Sequence, residues 1–126
     1  MPVIPYLKYE DVAAALDWLT NAFGFTERLR YSGDDNKVVH AEMMADDGSV
    51  IFLAGPGGGY RNPRSTGYVN VMVSVAVDDV DAQYQRALAA GATEVFSPSD
   101  TPQGMRVCKL LDPEGQEWFF SQTLSG

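Results

Sequence analysis

The sequence predicts an α+β protein built from two tandem βαβββ units, and three observations carry that prediction. The stretch "YVNVMVSVAVDD" alternates with the period of a strand, Val69, Val71, Val73, Val75 and Val77 taking one face. Two helical patterns each open on an aspartate and close near a glycine. Finally, the second half repeats the first at a nearly constant shift, which is the mark of an internal duplication.

Taken in order, "PVIPYLKYED" supplies a first short strand, and Asp11 is placed to cap the helix that follows. Val12, Leu16, Leu19 and Phe23 fall on one side of that helix, and Gly24 ends it. Trp18 lies one residue from this stripe and is expected to pack against the core, or to serve at a subunit contact. Three further strands are expected at roughly 25–31, 37–44 and 49–54. The Gly- and Pro-rich run "GPGGGYRNPRSTG", residues 55–67, then reads as a flexible hinge. "GPGGG" follows a strand, but it opens no helix and lacks the Lys-Ser/Thr signature of a phosphate loop. Tyr60, Arg61 and Arg64 in this linker are expected in solvent, or as a lid over a neighbouring pocket.

The second unit repeats the plan. Asp79 caps a helix with Val80, Tyr84, Ala87 and Leu88 on one side and Gly91 at its end. Strands are expected near 93–97, 104–111 and 116–122. The turn "ADDGSVIFL" superposes on "DPEGQEWFF", setting Gly48 on Gly115. In the second turn Pro113 presets φ and Gly115 supplies left-handed freedom. The expected organisation is one domain over 1–126, with units at 1–54 and 68–126 joined by the linker. Each unit's sheet should carry its helix on the convex side, leaving the two concave faces to form a cleft.

Composition narrows the function. The 126 residues carry 9 basic and 17 acidic side chains, a net charge of −8, so the basic face that nucleic acid needs is missing. Cys108 is the single cysteine, which excludes an internal disulfide or a CxxC site. The start of the chain lacks the basic region and apolar run of a secretion signal, and no stretch is long enough to cross a bilayer. A cytoplasmic protein is expected, with no nucleic-acid or membrane partner.

The paired units, the "VDDVDAQY…AAGA" helix and the closing "DPEG" turn resemble the vicinal oxygen chelate superfamily, which includes glyoxalases, bleomycin-resistance proteins and extradiol dioxygenases. Nearly the whole chain takes part. The resemblance implies a site where a divalent ion is held by four side chains. Two come from first strands, seven residues before the capping aspartate, and two from last strands, four residues after the turn glycine. Those positions are Ile4, Met72, Phe52 and Phe119. Zinc, nickel and iron need imidazole, carboxylate or thiolate donors, and none stands there. No metal or other cofactor is therefore expected. Trp118 and Phe120 should fill the core while Phe119 points into the cleft.

Strand parity places Tyr6 beside Ile4, His40 and Glu42 on the inward face of the third strand, and Ser74 beside Met72. Lys109 falls at the position equivalent to Glu42, so the two are expected to pair across the pseudo-twofold or to meet polar groups of a ligand. With Phe52, Phe119 and Tyr60 these form the expected ligand-binding set: an aromatic floor with a few polar groups, the usual make-up of a small-molecule pocket. Cys108 should sit in the core as a small hydrophobe.

The expected function is metal-independent binding of a small hydrophobic or aromatic molecule, including cationic ones and possible antibiotics, by a homodimer resembling the bleomycin-resistance branch. The alternative is a lyase or isomerase of the glyoxalase kind, with an atypical metal sphere or with His40 and Glu42 as acid and base. A closed cleft, with Phe52 and Phe119 in mutual contact, would mark a purely structural domain.

Overall fold

The computed structural model describes residues 1–124. The first unit comprises β1 (Tyr6–Lys8), α1 (Val12–Phe23), β2 (Thr26–Ser32), β3 (Val38–Met44) and β4 (Val50–Ala54). A short helix, α2 (Pro63–Thr66), lies in the linker. The second unit comprises β5 (Met72–Ala76), α3 (Val80–Ala89), β6 (Thr93–Asp100), β7 (Met105–Leu111) and β8 (Glu117–Thr123). The strand orders, β1-β4-β3-β2 and β5-β8-β7-β6, are the same in both halves. In each sheet the first strand runs parallel to the last and the other pairings are antiparallel. The duplication is thus real at the level of topology.

The capping chemistry works as the sequence implies. Asp11 accepts from the backbone N–H of Ala14 and Asp79 from that of Ala82, each at 3.0 Å. Gly24 closes α1 at φ 77°, and Gly91 follows α3 at φ 99°. Alternation on the strands then sorts the side chains. Leu53, Ala41 and Met43 of the first sheet are fully buried, as are Trp118, Cys108 and Leu110 of the second. They belong to a single core shared by both units, with α1 and α3 packed together inside it. Phe23 joins the halves: its ring centroid lies 4.9 Å from those of both Trp118 and Phe120. Trp18 donates its indole N–H to the carbonyl of Ala90 at 2.7 Å, so it fastens one unit to the other within the chain.

Two expectations need correction. The valine-rich strand is shorter than its pattern suggests: β5 begins at Met72, Val71 is exposed, and Val73, Val75 and Val77 are only partly covered. The helix opposite offers too little, since only Val80 and Ala87 of α3 are fully buried. The linker, for its part, is anchored rather than loose. Asn62 caps α2 by accepting from Ser65 N–H, and the N–H of Arg64 donates to the carbonyl of Glu114 at 3.0 Å. Gly115 stands at φ 90°, and a Cβ there would meet the Arg64 nitrogen at 2.6 Å. Glycine is required at that turn both by its dihedral and by the approach of the linker.

The same turn clasps the first unit. The Glu114 carboxylate accepts from the backbone N–H groups of Glu10 and Asp11 at 2.6 and 2.9 Å. Beneath it the buried Asp112 accepts from the Tyr9 hydroxyl at 2.6 Å and the Trp118 indole at 3.0 Å. Its other oxygen accepts from the N–H groups of Glu114 and Gln116. Among the described residues, no helix is long and apolar enough to cross a membrane.

Candidate functional site

The two faces do not close the expected cleft within the chain: apart from Ile4 and Tyr60, the expected site residues divide between two sheet faces, each turned away from the shared core. On β4, Leu53 points inward, which turns Phe52 outward. Backbone register sets Phe52 between Tyr6 of β1 and Glu42 of β3. The Phe52 ring meets those of Tyr6 and His40 edge-on, at 5.4 and 5.2 Å between centroids. Tyr31 of β2 stacks on His40 at 6.0 Å. The first face therefore gathers Tyr6, Tyr31, His40 and Phe52 into one aromatic cluster, with Glu42 at its polar side.

Hydrogen bonds order this cluster. The Tyr6 hydroxyl lies 2.6 Å from Nδ1 of His40, and Nε2 of His40 lies 3.0 Å from Glu42 Oε2. The second Glu42 oxygen is 3.8 Å from Nε of Arg28. Strand parity predicts the neighbourhood of His40 and Glu42. Tyr6 was placed on the same face, but its bond to His40 spans β4 and follows only from the strand order.

The second face carries Ser74, Phe119 and Lys109 in one register row, with Phe96 at its end. Phe96 and Phe119 meet at 6.4 Å, and Lys109 Nζ sits 5.8 Å from the Phe96 ring centroid. Met72 opens β5 and is exposed. The expected Glu42–Lys109 pair does not form within the chain. Lys109 instead lies 3.4 Å from Glu117, its neighbour on β8, while Glu42 is taken by His40 and Arg28. Among the described residues, no hydrogen bond, ion pair or ring contact joins one face to the other, and Phe52 and Phe119 share none.

Ile4 precedes β1 and is half-buried. It lines a groove of about 1040 Å³ between the units, together with Ile51, Val73, Val75, Trp118 and Phe120. Sequence reading passed over this groove. Its signal was the mismatch between five alternating valines and a helix with few large apolar residues to cover them.

Tyr60 is not a lid. Its hydroxyl donates to the carbonyl of Lys8 at 2.9 Å, pinning the linker to the end of β1. Burial, followed by the charges of Glu114 and Glu10, pushes its phenol up to about 12. Cys108 is buried on the core side of β7, where burial pushes its thiol up to about 11; it packs as the expected small hydrophobe. The four positions where the resemblance implies cation ligands do not converge within the chain. Ile4 lies in the groove between the units, Phe52 on the first face, and Met72 and Phe119 on the second sheet, and they carry hydrocarbon, thioether and phenyl groups. Among the described residues, no cluster of three or more His, Cys, Asp or Glu side chains is placed to hold an ion. The donor set does not suit a divalent metal.

Comparison with known proteins agrees with this architecture. The family model of the Glyoxalase/Bleomycin resistance protein/Dioxygenase superfamily matches residues 7–120. An uncharacterized Mycobacterium bovis protein is 36% identical over 94% of this chain and 80% of its own length. The crystal structure of TioX from Micromonospora sp. ML1 superposes with a TM-score of 0.79 at 32% identity, covering 98% of this chain and 99% of that one. A superfamily member from Sphaerobacter thermophilus DSM 20745 shares the fold at a TM-score of 0.76 and 21% identity, with 97% and 98% covered.

Proposed function

The chain belongs to the Glyoxalase/Bleomycin resistance protein/Dioxygenase superfamily, and from that premise we propose that it is a metal-independent binding protein for flat, apolar or aromatic small molecules. One observation carries the reading: Phe52 and Phe119, at positions where the superfamily resemblance implies cation ligands, instead extend aromatic surfaces, Phe52 with Tyr6 and His40 and Phe119 with Phe96. Aromatic walls give a ligand wide contact area at little cost in rotamer freedom.

The working form is a homodimer. Exposed large apolar side chains, among them Tyr6 at 55% and Met72 at 49%, lie on or at the border of the two faces and are suited to cover by a second copy. An isologous pair would set the first face of one protomer against the second face of its partner. Glu42 and Lys109 would then approach from opposite sides, restoring between chains the pairing that is missing within one. Cationic aromatic compounds, antibiotics included, suit a protein of net charge −8.

Isothermal titration with acridine orange and bleomycin, on protein treated with chelator and on protein supplied with Zn²⁺ or Ni²⁺, tests the proposal. Binding that is unchanged by metal supports it; binding that requires metal rejects it. A second reading, a lyase or isomerase of the glyoxalase kind, draws on the 3.0 Å His40–Glu42 contact. It predicts turnover of a hemithioacetal that His40→Ala abolishes.

A further inference from the structure

We propose that the Tyr6–His40–Glu42 chain makes the oxygen of Tyr6 a pure hydrogen-bond acceptor, so that the first face selects planar aromatic molecules bearing an O–H or N–H donor. This rests on the binding reading above and adds to it the chemical class of the guest.

The argument follows the protons. An ionised carboxylate accepts hydrogen bonds and donates none, so the 3.0 Å contact with Glu42 Oε2 requires a proton on Nε2 of His40. In the neutral imidazole the other nitrogen, Nδ1, is then an acceptor. Its partner at 2.6 Å is the Tyr6 hydroxyl, which has a single proton to give. That proton is spent inward. What Tyr6 offers outward is its lone pairs, and a hydroxyl that already donates is a stronger acceptor because hydrogen bonds in a chain polarise one another.

Position makes this useful. Tyr6 stands on β1, an edge strand of the first sheet, and is half exposed. The rings of Phe52 and His40 hold it edge-on, with Tyr31 beyond. A flat guest lying on this cluster brings its rim to the Tyr6 oxygen. A rim donor is satisfied there, whereas an ether or carbonyl oxygen faces lone pair against lone pair. Glu42 acts through His40, and Arg28 in turn acts through Glu42 at 3.8 Å, so both are positioning residues. The polar groups facing the chain are Tyr6 from β1, Arg28 and Tyr31 from β2, and Glu42 from β3; β4 contributes the apolar Phe52.

The test compares 2-naphthol with its methyl ether, 2-methoxynaphthalene, by isothermal titration of the full chain at pH 8. The two share shape and aromatic area and differ in the donor proton. Wild-type protein should bind the naphthol at least ten-fold more tightly. Tyr6→Phe, an exposed and nearly isosteric change checked by circular dichroism, should bring the ratio close to one by weakening the naphthol alone. His40→Ala, which frees the Tyr6 proton, should also narrow the ratio. Equal binding of both probes by the wild type overturns the selectivity and leaves the binding proposal standing, as does a ratio that survives Tyr6→Phe. Failure of both probes to bind overturns the two together.

Discussion

Phe119 and Phe120 are adjacent on β8 and face opposite ways, which makes them a natural pair of probes. Phe120 is 1% exposed and touches Phe23 in the shared core. Phe120→Ala should cost about 3–5 kcal/mol, the usual price of emptying a well-packed aromatic site. Phe119 lies on the outer face, so Phe119→Ala should cost about 1 kcal/mol in urea unfolding while lowering affinity for planar ligands. Asp112 offers a probe of another kind. Burial raises its carboxyl above the usual value, against the opposing pull of hydrogen bonds from Tyr9, Trp118 and the N–H groups of Gln116 and Glu114. A folded-state value above the unfolded one means that its contribution is fully present below the unfolded value and is lost as pH rises through the folded one. Stability of the wild type relative to Asp112→Asn, which does not titrate, should therefore increase on acidification. Paired chemical denaturation at pH 7 and pH 4 measures the difference, and a decrease would show that the hydrogen bonds outweigh burial.

At the scale of elements, the duplicated turns separate backbone strain from docking. Gly48 and Gly115 have nearly the same dihedral, φ 91° and 90°, but a Cβ at Gly48 meets nothing within 4 Å while one at Gly115 collides with the linker. Gly48→Ala should cost about 1–2 kcal/mol from the left-handed conformation alone. Gly115→Ala should cost clearly more, and the excess, read by thermal unfolding, reports how firmly α2 sits on the turn. Much of the element plan was legible beforehand because its signals are local. Capping aspartates, terminating glycines and strand alternation act within a few residues, and alternation set Trp118 and Phe120 on the core side with Phe119 on the opposite face, toward the cleft that was expected there. The clasp of Glu114 on Glu10 and Asp11, the anchoring of Tyr60 and the Tyr6–His40 bond were not legible. Each joins residues far apart in the chain, and nothing in a short window marks a partner that only the fold brings near. The linker misled for the same reason: its glycines and prolines suggested slack, and its restraint comes from a turn some fifty residues on.

At the scale of the molecule, two sheets share their inner sides and a common core, while their outer sides carry aromatic and opposite polar groups, Glu42 on one and Lys109 on the other. In the proposed dimer, such a chain would complete its clefts by meeting a second copy. Charge reversal tests that geometry: Glu42→Lys should weaken the dimer in sedimentation, and Glu42→Lys combined with Lys109→Glu should recover it at least partly. The most direct test of metal-free binding by a paired chain is native mass spectrometry of the purified protein titrated with acridine orange. The account predicts a dimer that gains dye and carries no stoichiometric metal. A dimer that holds a tightly bound divalent ion, or a monomer that takes up no dye, would contradict it.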